Sequence, residues 1–160
     1  MNRPSVLALG VLALAGRTAA AQPAQDPRVD EVVEAAFRQQ IAFWLDYDPR
    51  DTRTVLCLAI EQGGVSKSVA KAYLRRFRSQ ERLRSAAECE ARQSGARERA
   101  TGGPAVLLSA GDVEWIAPDE AWVRVRHFRS RHSAGLQQYR VVRQQERWIC
   151  LGPILKLSPA

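Results

Sequence analysis

The sequence predicts an α+β fold, with an N-terminal amphipathic helix packed on a curved antiparallel sheet of four or five strands and one further short helix. Apolar residues recur every three or four positions over residues 26–45, as in a helix with one buried side. From Ala105 onward the apolar period shifts towards two, which is typical of strands. Only short connections separate these later segments, so the strands must be antiparallel neighbours.

Residues 1–21 have the pattern of an export signal. A basic start is followed by an unbroken apolar run over residues 6–16 and by small residues at 19–21, where a signal peptidase can cut. The apolar run is too short to span roughly 30 Å of hydrocarbon. We therefore expect a cleaved signal peptide, a short tether at residues 22–25 and a single α+β domain over residues 26–160. The mature chain is expected in the bacterial periplasm or secreted, soluble and without a transmembrane segment.

The first helix is predicted to begin with Asp26 as N-cap and Pro27 at the first helical position. Residues 46–51, which include Asp48-Pro49, end it and turn the chain. The apolar run at residues 55–60 then predicts a buried strand that ends at Gly63-Gly64, although a helical turn has the same apolar content. The predicted buried stripe of the helix consists of Val29, Val32, Val33, Ala36, Phe37, Ile41 and Trp44.

A second helix is predicted over residues 69–78, capped by Ser66 or Ser68, with Val69, Tyr73 and Phe77 on its inner side. Residues 79–103 show no sustained period, and we expect irregular structure there. Five strands follow, over residues 105–109, 113–116, 121–128, 136–143 and 148–151. The turns that join them are expected at Gly111-Asp112, Pro118-Asp119, Ser133-Ala134-Gly135 and Gln145-Glu146.

Three cysteines in an exported chain suggest one disulfide and one free thiol. Three pairings are possible. We favour Cys57–Cys89, because Cys57 lies in the apolar strand and Cys89 in a polar segment that gains from being tied down. Cys150 is then a small buried residue beside Trp148. No metal site or cofactor is expected, because the chain has no Cys-x-x-Cys and no ligand-like histidine pair.

The positive charge is unevenly distributed. The whole chain has 24 Lys and Arg against 17 Asp and Glu, and residues 121–160 hold eight of the basic residues against the single acid Glu146. Such a local excess attracts an anionic ligand, a glycan or an anionic membrane surface, or it is a solvated sheet face. Nucleic acid is not an expected partner, because the protein is predicted to leave the cytoplasm and lacks an aromatic array for stacking bases.

The strand at residues 121–128 contributes most of the candidate binding residues. If Val123 and Val125 point to the core, the other side of the strand is an exposed aromatic–cationic stripe, which can stack on a sugar or contact a partner protein. If Trp122 and Phe128 point inward, the arginines reach out from the mouth of a cone and suggest an anion pocket. Both alternatives remain open. The candidate binding residues are Trp122, Arg124, Arg126, His127, Phe128 and Arg140.

No sequence motif of a known active site is present, and no catalytic residue is predicted. His127 lies among arginines whose charge lowers the pKa of an imidazole. A neutral His127 near Asp46 or Asp48 can act as a general base. The alternative is a non-catalytic histidine at a strand end, for which replacement by Ala leaves stability and binding nearly unchanged.

This layout resembles the cystatin-like and NTF2-like groups of folds. In detail it is similar to small exported bacterial proteins of uncharacterised function. The resemblance implies a fold and no activity, since NTF2-like scaffolds occur in enzymes and in pure binding domains. The shared features are the run Val55–Ile60, Leu74-Arg75-Arg76-Phe77, Trp115 before Asp119-Glu120-Ala121, and Tyr139 before a lone Trp148.

The leading interpretation is a non-catalytic binding or interaction module that uses a basic sheet face. One alternative is a small NTF2-like enzyme with a pocket between helix and sheet, and another is an envelope-associated protein that contacts anionic lipid or glycan. A pocket lined by His127 and a carboxylate favours the enzyme. A flat, solvated arginine face favours the binding module.

Overall fold

The structure is a computed structural model that describes residues 26–47, 51–78 and 80–154. The predicted signal peptide and tether, the Asp48-Pro49 turn and residues 155–160 lie outside the described residues. The two α-helices are α1 (Pro27–Tyr47) and α2 (Lys71–Leu74). The strands are β1 (Val55–Gln62), β2 (Val65–Ser68), β3 (Leu83–Ser85), β4 (Cys89–Arg92), β5 (Gly95–Glu98), β6 (Ala105–Ala117), β7 (Glu120–Ser130), β8 (Ser133–Gln144) and β9 (Arg147–Pro153). No helix among the described residues is long and apolar enough to cross a membrane.

Seven strands form one mixed sheet in the order β2-β1-β6-β7-β8-β9, with β3 paired to β1, while β4 and β5 form a separate hairpin. Strands β6 to β9 are the predicted antiparallel meander. The α+β class is therefore confirmed. The prediction of four or five antiparallel strands is wrong, because β1 lies parallel to both β6 and β3. The connection over residues 63–104 is long enough for such a parallel crossover.

Helix α1 covers one face of the sheet. It begins as predicted: Pro27 is its first residue, and the backbone N–H of Arg28 donates to Asp26 Oδ1 at 3.0 Å. Its buried residues include six of the seven predicted ones, and Val29 is partly buried. We call the sheet face against α1 the inner face. Its buried residues include Leu56, Leu58, Val106, Leu108, Val123, Val125 and Val141.

The predicted second helix over residues 69–78 is much shorter than expected, and a hairpin strand precedes it. Residues 65–68 form β2, antiparallel to β1, after a turn in which Gly63 and Gly64 have φ of 58° and 77°. Two such glycines favour the tight turn of a hairpin. Helix α2 is only four residues long and begins after Ala70, so the predicted Ser66 or Ser68 cap is wrong. Val69 and Phe77 are nonetheless buried.

Residues 80–103 are not irregular, contrary to the expectation for residues 79–103. They contain β3 and the β4–β5 hairpin, whose strands are too short to show a period in the sequence. The predicted Cys57–Cys89 disulfide is present and ties the hairpin to β1. Buried Glu98 adds a second link, since it accepts hydrogen bonds from Arg84 Nε at 2.5 Å and Thr101 Oγ1 at 2.6 Å. These bonds, Thr101 first, lower the pKa of the Glu98 carboxyl.

The meander differs from prediction mainly at Gly111-Asp112, which is an irregularity inside one continuous strand β6 and not a turn. A Cβ at Gly111 would lie 1.9 Å from the backbone oxygen of Glu61, so only glycine fits there. The turns at Pro118-Asp119 and Gln145-Glu146 are confirmed, whereas β8 already begins at Ser133. Cys150 is a free, partly buried thiol.

Candidate binding cleft on the outer face of the sheet

The orientation of β7 distinguishes the two alternatives for the strand at residues 121–128. Val123 and Val125 are buried against the helix side, at 0% and 3% exposure. Because side chains alternate along a strand, their neighbours lie on the opposite face, which we call the outer face. Arg140 on β8 pairs directly with Trp122 and joins this face. The aromatic–cationic stripe of Trp122, Arg124, Arg126, Phe128 and Arg140 is therefore the observed arrangement.

Each arginine of the stripe has a carboxylate of its own. A guanidinium that already faces a carboxylate attracts a further anion less than a free one does. The stripe is therefore less positive than its sequence suggests, because the paired acids come from neighbouring strands. The pairs are Arg124–Asp112 at 3.0 Å, Arg126–Glu61 at 3.3 Å, and Arg140–Glu120 with two contacts at 2.8 and 2.9 Å.

A cleft of about 910 Å³ lies on the outer face, between the β4–β5 hairpin and strands β1, β6 and β7. Most of its lining is apolar, and one group of polar side chains lies beside β1 and β2, while Glu90, Arg99 and His127 also line the cleft. Such a combination of apolar lining and a few polar groups is typical of ligand sites. The apolar lining includes the disulfide, Ala59, Leu107 and Phe128, with Ala86, Ala91 and Ala134 at the rim. The polar group is Glu61, Ser66, Ser109 and Arg126.

Glu61 is the central polar residue of this cleft. It is only 6% exposed. Its Oε1 accepts hydrogen bonds from Ser109 Oγ at 2.7 Å and Ser66 Oγ at 3.4 Å. Its Oε2 accepts no hydrogen bond from any described residue and lies 3.3 Å from Arg126 Nε. A buried oxygen that lacks a donor is costly, so Oε2 is the atom of this cleft that gains most from a further donor.

The sequence contains a signal for Glu61 that our sequence analysis missed. Residues 57, 59 and 61 alternate along β1, so Glu61 lies on the outer face with Cys57. The parallel register places Glu61 opposite Gly111, whose missing side chain lets the two backbones approach closely. A single acid in phase with the buried apolar residues of a strand indicates a polar group inside a largely apolar site.

The outer face continues beyond this cleft towards β9. A second depression of about 640 Å³ is lined by Trp122, Arg124 and Leu136, with Pro153 and Ile154 at its far side. Leu136 is 57% exposed there. Trp122 and Arg124 thus lie beside the cleft that contains Arg126 and Phe128, and a large ligand or a partner protein can contact all four.

The ring of His127 lies on the inner face, apart from the side chains of the other predicted residues, although His127 also lines the outer cleft. Its ring lies 5.4 Å from that of Trp44, centroid to centroid, and its partial burial lowers its pKa. It lines a pocket of about 350 Å³ near the C-terminal end of α1. Of the described residues that line this pocket, none is a carboxylate. Asp46 is exposed on α1 and is not among them, and Asp48 lies outside the described residues.

The polar groups of the pocket beside His127 are mostly uncharged. Gln40 Nε2 donates a hydrogen bond to Tyr139 Oη, and Tyr139 in turn donates to Gln137 Oε1 at 3.2 Å. Within the described part of the chain, no group of three or more His, Cys, Asp or Glu side chains is arranged to hold a metal ion.

Comparison of the chain with protein-family models, with curated proteins and with solved structures finds no match in any of the three. The cystatin-like or NTF2-like resemblance therefore stays a prediction, and the functional argument depends on the geometry of the sites.

Proposed function

We propose that this chain is an exported, non-catalytic binding module whose ligand occupies the outer cleft and contacts the aromatic–cationic stripe. The observation that supports this most directly is the buried Glu61, with one oxygen lacking a donor, at the polar end of a cleft of about 910 Å³. Buried polar groups in native proteins nearly always have partners. A bound ligand supplies the missing partner.

The disulfide is compatible with the proposed export, because such bonds persist mainly in oxidising compartments. The signal peptide over residues 1–21 and the periplasmic location are part of the proposal. N-terminal sequencing of the chain from a periplasmic extract should give a start near Gln22. An intact Met1 in the cytosolic fraction would contradict export and leave the binding cleft untouched.

The two alternative functions have less support. A general base at His127 needs an acid partner. The ring of His127 lies against Trp44, and none of the described residues that line the pocket on that side is a carboxylate. Contact of the stripe with anionic lipid is weakened, because Arg124, Arg126 and Arg140 each face a carboxylate. Our proposal retains the cystatin-like or NTF2-like scaffold as the expected relationship.

The cleft can be tested by NMR with ¹⁵N-labelled protein and a panel of uncharged aromatic fragments. We expect the largest shifts at the amides of Ser109, Arg126 and Phe128. Ala134→Trp places a large side chain at the exposed rim of the cleft and should abolish these shifts. The matched control is Ile149→Trp, on an exposed position of β9 away from the cleft, which should keep them. Shifts around Trp44 and His127, or equal shifts in Ala134→Trp, would refute the proposal.

A further inference from the structure

We propose that the outer cleft selects an uncharged ligand with an apolar body and a carboxamide head. The amide N–H donates to Glu61 Oε2, and the amide oxygen accepts from the guanidinium of Arg126. This inference rests on the proposed function and specifies the ligand class of the same site.

The head group follows from the state of Glu61. Its Oε1 already has two hydroxyl donors, so only Oε2 is left to receive a ligand N–H. A carboxylate head has no donor to offer and brings a second negative charge against Glu61. An ammonium head adds a second positive charge beside Arg126. A carboxamide donates and accepts and changes neither charge.

Arg126 is suited to the accepting half of the head. Its side chain is 48% exposed, and its contact with Glu61 is made through Nε. The guanidinium has further N–H groups in a fixed planar arrangement, which can donate to a carbonyl oxygen without leaving the carboxylate. An amide head beside the Glu61–Arg126 ion pair thus uses groups that are already in position.

The body of the ligand follows from the remaining lining. Leu107 and Phe128 form an apolar surface beside the disulfide, and the small side chains of the three rim alanines leave open space above it. The nearest further charges, Glu90 and Arg99, pair with each other at 3.3 Å. A phenyl group on a short linker fits this environment, because it buries apolar area and meets no unpaired charge.

The test is isothermal titration calorimetry with the oxidised protein and three probes of similar shape. They are 3-phenylpropanamide, the carboxylate 3-phenylpropionate, and N,N-dimethyl-3-phenylpropanamide, which has lost its donor. The primary amide should bind about tenfold more tightly than either of the others, as expected for one hydrogen bond to a charged acceptor. The dimethyl probe tests the need for a donor without any change in the protein.

Glu61→Gln should reverse the order of affinity, so that 3-phenylpropionate binds more tightly than 3-phenylpropanamide. The new side chain keeps the shape of Glu61 and removes its charge, so Arg126 becomes free to pair with the carboxylate of 3-phenylpropionate. The control is Glu34→Gln, which removes an acid that pairs with Arg38 and Arg76 away from the cleft and should leave the amide preferred. Circular dichroism at the working temperature checks that both variants are folded.

The outcomes separate the two proposals. If the wild-type protein binds the carboxylate or the dimethyl probe as tightly as the primary amide, the amide inference is wrong, while the cleft still binds. If none of the three probes binds but other fragments shift the cleft amides in the NMR experiment, the inference is again wrong and the proposed function stands. If neither the probes nor the fragments bind the cleft, both fail.

Discussion

Removal of the Cys57–Cys89 bond should lower the free energy of unfolding by roughly 3–4 kcal/mol. The two cysteines are 32 positions apart in the sequence, and closing a loop of that length removes about this much conformational free energy from the unfolded chain. For a domain over residues 26–160, with an unfolding entropy of about 2.1 cal/mol/K per residue, this corresponds to a fall in Tm of about 11–14 °C.

The loss is expected to be concentrated in the β4–β5 hairpin, which makes no ladder with the main sheet. The bond lies at the centre of a small second core, where Cys57 is 0% and Cys89 3% exposed, together with Val55, Ala96 and Ala105. Since Cys89 and Ala91 line the outer cleft, a loosened hairpin should also weaken binding of 3-phenylpropanamide.

The assay is differential scanning calorimetry of the wild type and of the double variant Cys57→Ala/Cys89→Ala, which leaves no unpaired thiol at this site. Cys150→Ala is the control, because Cys150 is only partly buried and forms no disulfide; its Tm should change far less. A fall of less than about 3 °C in the double variant would refute the reasoning. It would mean that the Glu98 contacts alone hold the hairpin.

Three further predictions concern single residues. Gly111→Ala should destabilise the fold by about 2–4 kcal/mol in urea titration, because its Cβ would lie 1.9 Å from the Glu61 backbone; unchanged stability would contradict the close approach of β1 and β6. Glu98→Gln should reduce the loss of stability in acid. The folded-state pKa of Glu98 is lowered from 4.5, so its contribution is present above pH 4.5 and is lost as the pH falls through the folded-state pKa. The measurement is Tm as a function of pH. An equal fall in Tm on acidification for the wild type and for Glu98→Gln would argue against this. His127→Ala should cost about 1 kcal/mol through lost packing on Trp44, which revises our expectation of unchanged stability, and should leave affinity in the outer cleft unchanged.

The elements with a strong local pattern could be predicted from the sequence. Asp26-Pro27 and the apolar stripe mark α1, and the period of two after Ala105 marks the meander. The β3, β4 and β5 strands could not be predicted, because three or four residues show no period and their positions depend on the disulfide and on Glu98. The parallel pairing of β1 also depends on a distant strand. The run of apolar residues in β1 predicts a buried strand, and in the structure β1 is buried on both faces.

The candidate site was predictable in part. Alternation placed Trp122, Arg124, Arg126 and Phe128 on one face, but periodicity cannot tell which face a helix covers. His127 falls on the other face by the same alternation. The ion pairs of the stripe were beyond prediction, because Glu61 and Asp112 meet their arginines only through the sheet register. The excess of positive charge in the sequence therefore overstated the basic character of this surface.

The most direct test of a ligand site on the outer face is a crystal structure of the oxidised protein with the fragment that gives the largest NMR shifts. Our account predicts electron density for the fragment between Phe128 and the β4–β5 hairpin, with a polar atom within hydrogen-bond distance of Glu61 Oε2. Density in the pocket beside Trp44 and His127, with the outer cleft holding only solvent, would contradict it.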